Sequence, residues 1–125
     1  MILTLVAACS FNPNESRSEL RQRGIAWNEQ AFLEHAKKGD REVLTLFLEG
    51  GMDPDTRDEK GVTALMYSAL SGHPEAASLL VEKGAKLNLE DQQGRTALDY
   101  ASVEPGNGVF AVLISKGATY GSLAK

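Results

Sequence analysis

One spacing dominates this sequence, a step of 33 residues repeated without gaps. The pairs Gly51-Met52, Gly84-Ala85 and Gly117-Ala118 fall one step apart. Gly61-Val62-Thr63-Ala64-Leu65 returns as Gly94-Arg95-Thr96-Ala97-Leu98, Asp58 returns as Asp91, and Asp55 as Asn88. Leu80-Val81 maps forward to Leu113-Ile114 and back to Phe47-Leu48. A period of this length belongs to repeat architectures. In them one small unit cannot bury its apolar face alone, and stacked neighbours bury it jointly.

The inside of each unit is also legible. Thr63 and Thr96 are placed to cap a short helix through the hydroxyl oxygen. A helix is predicted from Ala64 to about Ser71, and Gly72-His73-Pro74 turns the chain, since proline suits the first position of a helix. A second helix is predicted from about Glu75 to Lys83, with Ala76, Leu79 and Leu80 on one stripe. Gly84 ends it, and Lys86 to Gly94 is a polar, turn-rich segment that leads to the next threonine.

These residues resemble the ankyrin-repeat family. The resemblance is carried by Asp58-Glu59-Lys60-Gly61-Val62-Thr63-Ala64-Leu65 with Ala69 and Gly72-His73, and by Leu79-Leu80-Val81 with Gly84-Ala85 and Asn88. It extends over about residues 25–120. It implies an all-α fold, an ankyrin-repeat solenoid of about three helix-turn-helix units with β-hairpin-like loops. The repeat domain is expected over residues 25–125, with units near 25–57, 58–90 and 91–125. Ala64 and Ala97 stand where the family usually has proline, and Met66 and Asp99 where it usually has histidine. The first unit is degenerate at Gln30-Ala31-Phe32, as terminal units are when one face meets water. Pro105-Gly106-Asn107-Gly108 is expected to distort the third unit's turn, and a small apolar patch is expected near Ala111 and Val112.

Composition narrows the function classes. At 125 residues, 42% apolar and 24% charged, the chain is the size and make-up of one globular domain. The net charge of −4 and the lack of a basic stripe argue against nucleic acid as partner. Arg17, Arg21 and Arg23 alternate with Glu15 and Glu19, a solvated pattern. No stretch of about 18 apolar residues exists, so no transmembrane helix is expected.

The amino terminus reads differently from the repeats. An apolar run from Ile2 to Ala8 precedes the single cysteine, Cys9. Val6-Ala7-Ala8-Cys9 resembles the lipobox of bacterial lipoproteins, which implies lipidation at Cys9, and Ser10 after it implies outer-membrane sorting. The run is short and no Lys or Arg precedes it. One reading takes residues 1–9 as a truncated lipoprotein signal and residues 10–24 as a polar tether. It makes the protein a lipid-anchored periplasmic adaptor or an inhibitor of immunity type. The other reading is an apolar terminus on a cytoplasmic scaffold or regulatory subunit. An accessory enzyme is the third class.

Catalysis has little in the sequence to support it, and no catalytic residue, cofactor or metal ligand is assigned. His35 and His73 sit at repeat positions with structural explanations; His73 follows the turn glycine, where the family's histidine bonds neighbouring backbone. No Cys/His/Asp cluster has metal-ligand spacing. Gly106-Asn107-Gly108 lacks the pattern of a phosphate loop. Binding has a positive case, because stacked units create a concave surface from loop tips and first helices. The positions carried over from the family are Trp27, Glu29, Lys37 and Lys38 in the first unit. In the second they are Glu59, Lys60, Val62, Leu70 and Ser71, and in the third Gln92, Gln93, Arg95, Val103 and Glu104. Trp27 and Arg95 lead as hot-spot residue types, with a packing role over the first helix pair as the other reading of Trp27. Tyr67 and Tyr100 recur one step apart and are assigned to packing. The expected partner is another protein, bound by a monomer.

Overall fold

The structure, a computed structural model, describes residues 12–122. The described chain holds seven α-helices: α1 (Pro13–Gln22), α2 (Glu29–Lys38), α3 (Arg41–Glu49), α4 (Ala64–Ser71), α5 (Pro74–Glu82), α6 (Ala97–Ala101) and α7 (Val109–Ser115). A 3-10 turn, Pro105–Asn107, precedes α7. Helices α2, α4 and α6 pack side by side as an inner layer. Helices α1, α3, α5 and α7 do the same as an outer layer, and each unit's two helices pack on each other. This is the stacked, all-α arrangement expected from the 33-residue period.

The core is a set of columns running through the stack. Phe32, Leu65 and Leu98 form one column on the inner layer, none more than 2% exposed. Phe47, Leu80 and Leu113 form its counterpart on the outer layer, all fully buried. Full burial of such side chains contributes about 1.5–3 kcal/mol each. No unit could achieve it alone, because each column member is covered by the units beside it.

The same stop signal closes every outer helix. In each of the pairs Gly24-Ile25, Gly51-Met52, Gly84-Ala85 and Gly117-Ala118 the glycine N–H bonds three residues back. The next N–H in each pair bonds five residues back. The glycines carry φ between +75° and +101°, the left-handed region that closes a helix in this way.

The first of these four corrects the expected tether. Gly24-Ile25 lies only 27 residues before Gly51-Met52, so the 33-residue step does not find it. Residues 13–22 are an outer-layer helix, not a polar linker. Asn12 Oδ1 caps it by accepting from the Asn14 N–H at 2.9 Å, and Pro13 opens its first turn. Leu20 is fully buried, and Ser16 is 8% exposed. A mostly polar helix this short is marginal alone; packing against α3 stabilises it. Cys9 and residues 1–9 lie outside the described residues.

Connections between units are hairpin-like. Arg57 and Thr63 form an antiparallel bridge. The Asp58 N–H donates to Val62 O at 3.1 Å, and the Asp91 N–H donates to Arg95 O at 2.9 Å. Thr63 caps α4 as expected, its Oγ1 accepting from the Met66 N–H at 3.2 Å. Thr96 and Asp99 form a capping box at the start of α6, with Asp99 Oδ2 accepting the Thr96 N–H at 2.8 Å, and the Thr96 hydroxyl also donates to Thr119 O at 2.8 Å. The turn at Pro105-Gly106-Asn107-Gly108 is distorted as expected: α6 stops at Ala101, and the 3-10 turn takes up the remainder.

Candidate protein-binding surface

Two aspartates hold the loops against the inner helices. Asp58 Oδ1 accepts from the backbone N–H of Lys60 and Val62, and Asp91 Oδ1 accepts from those of Gln93 and Arg95. The second oxygen of each takes a phenol. Tyr67 donates to Asp58, and Tyr100 donates to Asp91 Oδ2 at 2.5 Å. Each loop is thereby tied to the helix that follows it. Burial opposes the charge on both aspartates, but the phenol and backbone donors outweigh it and hold both carboxyls below their ordinary value. Burial raises both phenols, and the bond to the aspartate adds to it; Tyr67 is pushed up to about 12, and Tyr100 is raised likewise. The assignment of Tyr67 and Tyr100 to a repeated structural role holds, with a polar tie as its content.

The loops also bond to one another. The Gln92 N–H donates to Lys60 O at 3.0 Å, and Gln92 Nε2 donates to Glu59 O at 2.6 Å. Beneath them lies an open cleft of about 530 Å³. It is lined by Glu29, Leu33, Glu34 and Lys37 of α2, by the Arg57–Lys60 loop and by Tyr67. Lys37 Nζ sits 4.6 Å from the centroid of the Tyr67 ring, a cation–π contact across the unit boundary.

The structure sorts the candidate residues into two groups. Glu29, Lys37, Lys38, Glu59, Lys60, Leu70, Ser71, Gln93, Val103 and Glu104 are exposed on the inner layer and loops. Leu70 and Val103 are 53% and 73% exposed although their helix neighbours Leu65 and Leu98 are buried.

Four candidates do other work. Val62 is 6% exposed and belongs to the core; as a β-branched apolar residue beside the bridge it packs inward. Trp27 stacks on Phe47, with centroids 5.4 Å apart at 19°, and Arg17 covers its ring at 4.4 Å. It therefore serves as the cover over the first helix pair. Arg95 Nε donates to the buried Asp91 Oδ2 at 3.1 Å, and its guanidinium lies 4.7 Å from the Tyr100 centroid. Its first role is to hold the loop. Gln92 is exposed, but its side chain is the tie to Glu59.

The histidines behave structurally. His73 Nε2 lies 2.9 Å from Lys37 O of the preceding unit. A carbonyl only accepts, so Nε2 carries the proton. His35 packs its ring 6.3 Å from Phe47. Among the described residues no group of three or more His, Cys, Asp or Glu is placed to hold a metal, and no helix is long and apolar enough to cross a membrane.

Four contributors escaped the sequence reading. Asn28 caps α2 by accepting the Ala31 N–H at 2.7 Å. Arg17 ties α1 to the end of α3, donating to Gly50 O at 2.6 Å. Asp58 and Asp91 were visible as a repeat without a role; a carboxylate two and four residues before the N–H groups of a tight loop was the available signal.

Comparison with known proteins agrees with this geometry. The family model for ankyrin repeats (3 copies) matches residues 32–123. No curated protein matches the chain significantly.

Proposed function

Because this chain belongs to the ankyrin-repeat family, we propose that its inner-layer face is the surface on which it binds another protein. Repeats of this kind are protein-interaction modules, and the family is typically a non-enzymatic scaffold. The observation that carries the reading is the exposure of Leu70 and Val103. They are equivalent aliphatic residues one period apart, and neither contributes to the core columns. Exposed apolar side chains that recur at one repeat position suit an interface.

Lysine placement supplies the test. Lys37, Lys38 and Lys60 are exposed on the inner layer and loops, whereas Lys83 and Lys116 are exposed just past the outer helices. Amine-reactive cross-linking in the native host, followed by mass spectrometry, should join the partner mainly through the first three. Cross-links confined to Lys83 and Lys116 would place the interface on the other face.

The finer reading is an adaptor or inhibitor of immunity type, acting as a monomer in the periplasm and anchored to the outer membrane by lipid on Cys9. Val6-Ala7-Ala8-Cys9 followed by Ser10 supports it. Mass spectrometry of the mature protein, expressed from its own gene, should find an acylated Cys9 at the amino terminus. An unmodified Cys9 within a longer terminus would exclude the anchor.

A further inference from the structure

We propose that the row formed by Lys37, Leu70 and Val103 is a dock for an amphipathic helix of the partner protein, laid along the stack. The inference rests on the protein-binding reading above and names the partner's chemistry.

The three residues occupy one position in three successive units, each at or just past the last turn of its inner helix. Their neighbours in sequence, Lys38, Ser71 and Glu104, form a parallel exposed row. Read along the stack, the strip runs from two ammonium groups, through two aliphatic side chains, to a carboxylate. Helices packed side by side lie about 8–10 Å apart, so that is the pitch at which the row repeats.

A partner helix matches this pitch. Seven residues of α-helix rise about 10.5 Å and return to nearly the same face. Apolar residues at i and i+7 therefore meet Leu70 and Val103 together. An extended strand presents same-face residues at intervals of about 7 Å, so its side chains fall between or beyond the two anchors.

Charge sets the remainder. Two turns before the first apolar anchor, at about i−7, the partner helix faces Lys37 and Lys38, which calls for Asp or Glu there. Beside the second anchor it faces Glu104, the neighbour of Val103 in the same unit, which calls for Lys or Arg. Glu34 and Glu29 lie on the exposed side of α2, one and more turns back toward the loops, and line the cleft together with Lys37, whose ammonium rests over the Tyr67 ring. Lys38 is exposed and does not line that cleft, so it is the cation that marks the positive end of the strip. Such pairs at the rim contribute mainly orientation, and the buried apolar pair contributes most of the affinity.

The test is selection of binders from a displayed library of random 16-residue peptides, using the full chain. Contacts are then mapped by amide chemical shifts of the labelled protein. The expected peptides carry apolar residues at i and i+7 with acid before the first, become helical when bound, and shift residues near Leu70 and Val103. Replacing Leu70→Glu together with Val103→Glu should weaken them at least about tenfold, as should Lys37→Glu with Lys38→Glu. Circular dichroism should be unchanged. The gentler pair Leu70→Ser and Val103→Ser repeats the test if the first pair disturbs folding. Peptides that map to the inner layer yet lack this spacing, or bind extended, overturn the helix dock and leave the protein-binding reading in place. Peptides that map to the outer helices, or a selection with no enrichment, overturn both.

Discussion

The phenol of Tyr100 donates to Asp91 Oδ2 at 2.5 Å, and the same bond joins Tyr67 to Asp58 one period earlier. The repeat thus copies a polar tie as well as an apolar stripe. Asp91 is 7% exposed and would be costly to bury without its donors. Replacing Tyr100→Phe removes one donor from a charged acceptor and should cost about 1.5–3 kcal/mol in urea unfolding. Tyr67→Phe should cost less, because Asp58 is more exposed and water can replace the phenol.

The same ties give stability an alkaline limit. An unfolded tyrosine ionises near pH 10, whereas folded Tyr67 holds its proton to about 12. A pKa raised by folding contributes stability that is complete below the unfolded value and is lost as pH rises through the folded one. Melting temperature should therefore fall between pH 10 and 12, with the Tyr67 phenolate absorbance growing in near 12. The aspartates act with opposite sign. Their carboxyls lie below the ordinary value when folded, so their contribution is present above about 3.8 and disappears as pH falls through the folded pKa. A melting temperature that does not change from pH 9 to 12 would show the phenols are not held.

Arg95→Glu should destabilise the fold, contrary to the sequence reading of Arg95 as a free contact. The substitution places a second carboxylate beside Asp91 and removes the 3.1 Å bond. A loss of about 1–3 kcal/mol is expected by thermal or urea melting. An unchanged melting curve would return Arg95 to the list of contact residues.

Two glycines separate backbone strain from crowding. At Gly84 φ is +99° and a Cβ would meet nothing within 4 Å, so Gly84→Ala tests strain alone. About 1–2 kcal/mol is expected. At Gly39 φ is +70°, and a Cβ would fall 2.4 Å from the His73 ring. Gly39→Ala should cost more, since the ring must move and its bond to Lys37 O is lost. Equal losses in the two variants would contradict the packing of His73.

Leu20→Ala should cost about 2–5 kcal/mol, the range for emptying a filled core site, since Leu20 is fully buried between α1 and the rest of the stack. A loss near zero would restore the picture of residues 13–22 as a tether.

The repeat region was legible because its period, its stop glycines and its apolar stripes agree with one another. Helices α4 and α5 lie within a residue or so of the positions read from Thr63, Pro74 and Gly84. Helix α1 was not legible, because its signals concern single residues. Asn12 caps it, Leu20 anchors it, and its stop pair Gly24-Ile25 stands six residues out of step where no hairpin loop intervenes. The binding face was legible in part. Position within the repeat identified Leu70, Ser71, Val103 and Glu104 as exposed, but it could not foresee that Arg95 and Gln92 are occupied by Asp91 and Glu59. Those engagements depend on neighbouring loops meeting in space.

The most direct measurement is the double substitution Leu70→Glu and Val103→Glu, compared for stability and for affinity to the partner recovered by cross-linking from the native host. Stability should stay within about 0.5 kcal/mol of the parent, as for exposed positions outside special contacts. Affinity should fall at least about tenfold, equivalent to about 1.4 kcal/mol. Intact affinity in a normally folded double variant would contradict the assignment of the inner-layer face to binding.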